Sequence, residues 1–143
     1  MPAKLETQIV GNIGMYYACY QLSKLGWNVM PTARNAKGID IIAYSPDGKS
    51  FLGIQVKTLS KRNPIPVGAS LDKVMGDFWI VVTKAVESTP DVYIFTPEEI
   101  RKMAHQSGST WWVEPTIYDK PLYRDAWGRI GTAPVSPAKC NNV

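Results

Sequence analysis

Two short apolar stretches joined by a turn decide the fold: residues 38–58 read GIDIIAYSPDGKSFLGIQVKT. Within the turn, Pro46, Asp47 and Gly48 are residues that favour chain reversal. The flanking segments, 38–44 and 51–58, are rich in isoleucine, valine and aromatic residues, which favour strands. We therefore predict a β-hairpin centred between Asp47 and Gly48.

This centring determines which residues of the hairpin face each other, because the numbers of paired residues must sum to 95. Asp40 then lies opposite Gln55, and directly opposite residues point to the same face. Lys57 shares that face because it is two residues beyond Gln55 on one strand. A shift of one residue would bury all three polar side chains, so the register is well specified. The other face collects the apolar residues Ile39, Ile41, Ala43, Ile54 and Val56.

Asp40, Gln55 and Lys57 together suit metal-dependent phosphate chemistry. A carboxylate and an amide or main-chain oxygen are hard ligands of the kind that Mg²⁺ prefers. A lysine beside them can position a water or stabilise the charge that builds on a phosphate under attack. The spacing alone leaves open the alternative of an ordinary strand surface with three polar residues.

The rest of the chain predicts an α/β fold with a mixed central β-sheet flanked by α-helices. A first helix is predicted over residues 4–25, with an apolar stripe at three- and four-residue steps that comprises Ile9, Ile13, Tyr16, Tyr17, Tyr20 and Leu25. Residues 59–77 are predicted to form a basic loop with one helical turn. A second helix is expected from Thr96 to about Gln106, and the remaining predicted strands cover 27–33, 78–83, 92–95 and 111–113.

Length and composition indicate one globular domain. The chain has 143 residues, 45% of them hydrophobic and 20% charged, and we expect a domain over 1–133 and a disordered tail over 134–143. It has no apolar run of the roughly 20 residues that a membrane span needs and no secretory signal, so we expect a cytoplasmic protein without a membrane partner. Cys19, Cys140 and the single histidine, His105, form no zinc-ligand pattern.

Positive charge is concentrated around the hairpin. The formal net charge is +4, and seven basic minus three acidic residues between Arg34 and Lys73 give the same +4. Such a run is either a solvated face or a surface for nucleic acid. We expect double-stranded DNA as the partner, with contacts from Arg34, Lys37, Lys61, Arg62 and Lys73.

Several motifs of the chain resemble those of a known nuclease superfamily. Residues 11–14 read GNIG and are followed by YYA at 16–18 and LGW at 25–27; NAKGID at 35–40 precedes IQVKT at 54–58. Together they resemble the PD-(D/E)XK, or restriction-endonuclease-like, nucleases, in a variant with glutamine at the second acidic position. The resemblance covers about residues 9–60, with weaker support to about 106. Similar domains include Holliday-junction resolvases and methyl-directed restriction enzymes.

The resemblance implies a restriction-endonuclease-like sandwich and an endonuclease that hydrolyses DNA with Mg²⁺ or Mn²⁺. Asp40 would be the metal-binding carboxylate, Gln55 the second metal ligand through its side-chain oxygen, and Lys57 the catalytic lysine. The main-chain carbonyl of Val56 would join the metal ligands. The oligomeric state is left open, and a homodimer is one of the alternatives.

The chain departs from the superfamily pattern on its first helix. Many of these domains have a glutamate directly after the second glycine of the Gly-x-x-Gly segment, where this chain has Met15. With Gln55 neutral, Asp40 alone brings a formal negative charge to the predicted site. Three interpretations therefore stay open: a metal-dependent endonuclease acting on DNA or RNA, with full or weakened activity; a catalytically inactive nucleic-acid-binding module; and a protein-interaction partner such as an immunity protein or antagonist.

Overall fold

The computed structural model describes residues 4–33 and 38–135. Arg34, Lys37 and the tail beyond residue 135 lie outside the described residues. The helices are α1 (Thr7–Lys24), α2 (Pro97–Met103) and α3 (Pro115–Tyr118), with single 3-10 turns at Leu71–Lys73 and Trp127–Arg129. The strands are β1 (Asn28–Pro31), β2 (Ile41–Tyr44), β3 (Phe51–Thr58), β4 (Ile65–Gly68), β5 (Phe78–Thr83), β6 (Asp91–Phe95), β7 (His105–Ser107) and β8 (Thr110–Val113).

Five strands form the main sheet in the order β1-β2-β3-β5-β6. All neighbours are antiparallel except β3 and β5, which run parallel, so the sheet is mixed as predicted. The hairpin register is also confirmed, because Ile41 pairs with Ile54 and Tyr44 with Phe51, and both pairs sum to 95. Pro31 lies on the edge strand β1, where a missing N–H costs no ladder bond.

Each face of the main sheet is covered by its own hydrophobic cluster. The first cluster packs α1 against Ile41, Ile54 and their neighbours on the sheet. The second cluster joins the opposite face, through residues such as Val81 and Phe95, to α2 and to a small three-stranded sheet in the order β4-β8-β7. The main sheet is thus flanked by helices on both faces.

The structure corrects the predicted orientation of the first helix. Its buried residues are Val10, Gly14, Ala18 and Leu22, not the predicted stripe. Of that stripe, Ile9, Tyr16 and Tyr20 are exposed. The reason is steric, since small residues at 14 and 18 let the helix backbone approach the sheet closely, whereas tyrosines there would hold it away.

Two further predictions on secondary structure are wrong in detail. The segment predicted as a basic loop contains β4, whose Ile65 and Val67 are buried, before its 3-10 turn. The second helix begins as predicted, with Thr96 and Glu99 forming a capping box, but it ends at Met103. The chain then continues as β7 because His105 and its neighbours pair with β8.

The C-terminal segment closes the outer edge of β6. The Ile94 N–H donates to the Tyr123 carbonyl at 2.9 Å, and the Asp125 N–H donates to the Val92 carbonyl at 2.8 Å. The Arg129 guanidinium donates to the Ile94 carbonyl at 2.7 Å. The described segments, 4–33 and 38–135, include no helix whose length and apolar character would let it cross a bilayer.

Candidate active site

The candidate catalytic carboxylate stands one residue before β2. The Asp40 N–H donates to the Ile54 carbonyl at 2.8 Å, so Asp40 continues the register of the hairpin. Its Oδ2 accepts two hydrogen bonds, one from Gln55 Nε2 at 2.8 Å and one from the Val56 N–H at 2.8 Å. Asp40 and Gln55 are therefore direct neighbours across the hairpin, as the centring of the turn predicts.

Lys57 points to the same face of β3 as Gln55. Parallel pairing aligns Gln55 with Trp79 and Lys57 with Val81 on β5, so all four side chains lie on the side of the second cluster. Lys57 Nζ lies 5.6 Å from the centre of the Trp79 ring, which is within the range of a cation-π interaction. Burial lowers the pKa of the Lys57 ammonium, and the negative charge of Asp40 acts in the opposite direction.

The first helix packs on the other side of this sheet. Met15 is half-buried and packs against the first cluster, together with Val56. That cluster and the Gln55 and Lys57 side chains occupy opposite faces of β3. Residue 15, where the domains that this chain resembles carry a glutamate, thus contributes to the hydrophobic core in this protein.

The oxygen donors at the site suit a metal ion that is shared with a substrate better than one held by the protein alone. Both hydrogen bonds to Asp40 go to Oδ2, and within the described residues Oδ1 has no partner. Gln55 turns its Nε2 toward Asp40, so its amide must turn over before its oxygen can join Asp40 on one ion. No three His, Cys, Asp or Glu side chains in residues 4–33 and 38–135 are grouped to hold a metal. Mg²⁺ is often bound by one or two carboxylates plus substrate phosphate, and these residues fit that case.

The predicted nucleic-acid contacts stand in different situations. Lys61 and Lys73 are exposed, the first in the loop after β3 and the second in the 3-10 turn after β4. Arg62 is also exposed, but its Nε donates to Asp119 Oδ2 at 2.9 Å. The last two candidates, Arg34 and Lys37, fall in the segment that the structure does not describe.

A network of ion pairs links Arg62 to the C-terminal segment. Arg124 donates to the second Asp119 oxygen at 3.1 Å, to Asp91 at 3.0 Å and to the Tyr93 hydroxyl at 3.1 Å. The hydrogen bond from Arg62, together with those from Tyr93 and Arg124, lowers the pKa of Asp119 to about 2. Part of the predicted basic surface is therefore neutralised by acids of the same chain.

Trp79 is the residue of this site that the sequence did not single out. It lies in the apolar run of β5 and is only 3% exposed, so it resembles an ordinary core residue. The signal that could have identified it is the parallel alignment of β3 with β5, which places it beside Gln55. That alignment depends on a crossover that residue patterns do not reveal.

Comparison with known proteins supports the fold. No protein-family model matches the chain, and no curated protein matches it. A bacterial homing endonuclease of solved structure is similar over 88% of this chain and 93% of its own, with 19% identity and a TM-score of 0.59. A Holliday junction resolvase from the archaeal hyperthermophile Archaeoglobus fulgidus is similar over 87% of this chain and 98% of its own, with 18% identity and a TM-score of 0.56. The restriction-endonuclease-like α/β fold expected from the sequence is confirmed.

Proposed function

We propose that the protein is a nuclease that hydrolyses phosphodiester bonds of double-stranded DNA, with Asp40, Gln55 and Lys57 as its catalytic residues. The observation that carries this proposal is the contact of Asp40 with Gln55 across the hairpin, with Lys57 on the same face. Support also comes from the fold, which the chain shares with a homing endonuclease and a Holliday junction resolvase. Because fold alone does not determine function, the site residues carry the argument.

We further propose that the reaction depends on Mg²⁺ or Mn²⁺. The residues that would hold the ion are Asp40 through Oδ1, Gln55 through its side-chain oxygen, and Val56 through its carbonyl. Such an ion, when bound, lowers the pKa of a water and stabilises charge on phosphate oxygens. With one carboxylate from the protein, tight binding requires charge from the substrate phosphate, so metal and DNA should bind cooperatively.

The role proposed for Lys57 follows from its surroundings. Lys57 is half-buried and its amine lies over the buried Trp79 ring, where an interaction with a phosphate oxygen is stronger than in bulk water. As negative charge builds on the phosphate during attack, the ammonium group stabilises it. Asp40 stays bonded through Oδ2 to the Val56 N–H, which holds the carboxylate at a fixed place beside Lys57.

The test is cleavage of supercoiled plasmid, linear duplex, branched DNA and RNA with Mg²⁺ or Mn²⁺. We expect the wild-type protein to cleave DNA slowly and Asp40→Ala to be inactive. Lys57→Met, which keeps the aliphatic stem, should lose about 10²-fold, as is typical for one electrostatic stabiliser. Lys49→Ala is the matched control, because Lys49 is an exposed lysine of the same hairpin. If none of these substrates is cleaved with either metal, the proposal that the protein is a nuclease is refuted.

A second candidate function is nucleic-acid binding without catalysis. The observation that favours it is that Asp40 is the single carboxylate of the site and has one oxygen already engaged by two donors. In that case Lys57 would contact phosphate without promoting its hydrolysis. DNA binding by wild-type protein that survives Asp40→Ala, with no cleavage by either, would support this function over the first.

A further inference from the structure

We propose that Trp79 is a positioning residue for Lys57, whose ring holds the ammonium group on the sheet surface beside Asp40. This inference rests on the proposed function for its catalytic consequence, but the contact itself is a property of the protein without substrate. The hairpin fixes the Cα of Lys57, and β5 supplies the surface against which its long side chain rests.

The first support is geometric. A lysine side chain loses much of its rotamer freedom when it is held in one place. Trp79 is directly paired with Gln55, and Lys57 reaches back along the strand so that Nζ lies 5.6 Å from the ring centre. The face of an indole ring is the strongest cation-π surface among side chains. The contact therefore offsets part of the cost of holding Lys57 ready.

The second support is an unpaired polar atom. The Trp79 Nε1–H is buried and has no hydrogen-bond partner among the described residues. A buried donor without a partner destabilises the folded state, because it has lost its hydrogen bond to water. Phenylalanine would fill much of the same space without that cost, so packing stability alone does not account for tryptophan here. Rules of stability are most often broken at functional sites, and this residue touches the candidate catalytic lysine.

The third support is electrostatic. On β5 the neighbours of Lys57 are Trp79 and Val81, both apolar, and Gln55 beside it on β3 is neutral. Asp40 is the charged group of the described residues that acts on Lys57. The Trp79 ring, which is 3% exposed, lies over one side of the amine and keeps water from that side. An ammonium with fewer waters to displace binds a phosphate oxygen more strongly.

The test compares Trp79→Phe with Trp79→Leu and Trp79→Met in protein labelled with ¹³C at lysine Cε. In NMR relaxation measurements without substrate, the Cε group of Lys57 should be more ordered than that of the exposed Lys49 in the wild type and in Trp79→Phe. In the two non-aromatic variants the order parameter of Lys57 Cε should fall toward that of Lys49, because no ring then holds the ammonium group. Ile100→Ala is the control, since it disturbs the same cluster from α2 without touching Lys57.

An unchanged Lys57 Cε order parameter in both non-aromatic variants would overturn the proposal, and having two such variants guards against one that does not fold. Cleavage adds a second measurement: Trp79→Leu should lose about 10-fold in kcat with little change in KM, and Trp79→Phe should retain most activity. If the order parameter falls but neither the wild type nor any variant cleaves DNA, Trp79 positions Lys57 and the nuclease proposal fails. If cleavage occurs and the order parameter is unchanged in the variants, the nuclease proposal stands and the role of Trp79 fails.

Discussion

Gly14 of α1 lies directly against Thr58 of β3, so closely that a Cβ added at Gly14 would be 1.8 Å from the Thr58 hydroxyl oxygen and 2.7 Å from its Cβ. Thr58 follows Lys57 in the chain and points to the opposite face of the strand. The helix is therefore seated against the strand immediately behind the candidate catalytic lysine, and the absence of a side chain at residue 14 is what permits this contact.

Gly14→Ala should destabilise the protein strongly. Because the contact is with the base of a side chain, the helix must shift, and we expect a loss of about 2–3 kcal/mol in the free energy of unfolding. Gly11→Ala is the matched control, since a Cβ there meets nothing within 4 Å. In mid-helix that change should stabilise the protein by roughly 0.5–1 kcal/mol. Urea unfolding measures both, and equal effects of the two substitutions would contradict the packing described.

Gln55→Glu should convert the site into one that binds metal without substrate. The new carboxylate replaces an amide that donates to Asp40 Oδ2, so without metal the two charges repel and the melting temperature should fall. Mg²⁺ should raise the melting temperature again, because a ligand present at 100 times its dissociation constant adds about 2.7 kcal/mol to the free energy of unfolding. Gln106→Glu, an exposed residue of β7, controls for added charge. If neither Mg²⁺ nor Mn²⁺ changes the melting temperature of the Gln55→Glu protein, a metal site at these residues is excluded.

Met15→Glu tests the correspondence of the first helix with the resembled domains. Since Met15 packs against the first cluster, we expect the substitution to destabilise the protein and to add no metal affinity to Gln55→Glu. Calorimetric titration of Mg²⁺ into the single and double variants measures this. Tighter binding by the double variant, or DNA cleavage gained only by it, would show that residue 15 reaches the site and that the natural protein is a decayed nuclease.

The Asp119 network should make stability depend on pH in the acid range. The folded pKa of about 2 lies below the ordinary value of 3.8, so Asp119 contributes stability above pH 4 that is lost as pH falls through about 2. Asp119→Asn should therefore cost about 1 kcal/mol at pH 7 and much less near pH 2, where most of the contribution is lost. Glu87→Gln, at an exposed acid, should have little effect at either pH. Chemical unfolding at the two pH values measures the difference.

Binding of double-stranded DNA should weaken steeply with salt. Log affinity falls linearly with log salt by about 0.9 per neutralised phosphate, so Lys61→Ala and Lys73→Ala should each reduce that slope by about 1. Arg62→Ala should reduce it less, because Arg62 already pairs with Asp119. Lys24→Ala, at the end of the helix on the other face of the sheet, is the control. Fluorescence anisotropy between 50 and 200 mM salt, which brackets physiological ionic strength, measures the slopes; equal slopes for all four variants would exclude this surface.

The parts of the fold that depend on local signals could be predicted from the sequence. The turn residues around Asp47 and Gly48 fix the hairpin register, and that register alone places Asp40 against Gln55. The start of α2 was predictable for the same reason, since Thr96 and Glu99 form a local capping box. In both cases the determining residues lie within about fifteen positions of each other.

The parts that depend on distant partners could not be predicted. β7 begins two residues after the end of α2 at Met103, and it exists because β8 pairs with it. The helical pattern that leads into residues 105–107 gives no sign of that pairing. The buried side of α1 is set by the close contact of Gly14 with Thr58, whereas hydrophobicity favours its tyrosines. Arg62 pairs with Asp119, which lies 57 residues later in the chain, so a count of the charges near Arg62 could not predict this neutralisation.

The two outer strands of the main sheet differ in a way that limits how copies of this chain can join. The edge of β6 is occupied by Tyr123, Asp125 and Arg129, whereas β1 has a strand neighbour on one side alone in the part of the chain that the structure describes. Exposed strand edges are templates for pairing with another chain. Within the described residues, pairing that extends the main sheet between copies is therefore limited to β1 against β1, and it ends after one such contact. Because the C-terminal segment covers the edge of β6, pairing through the main sheet cannot continue from copy to copy into a fibre.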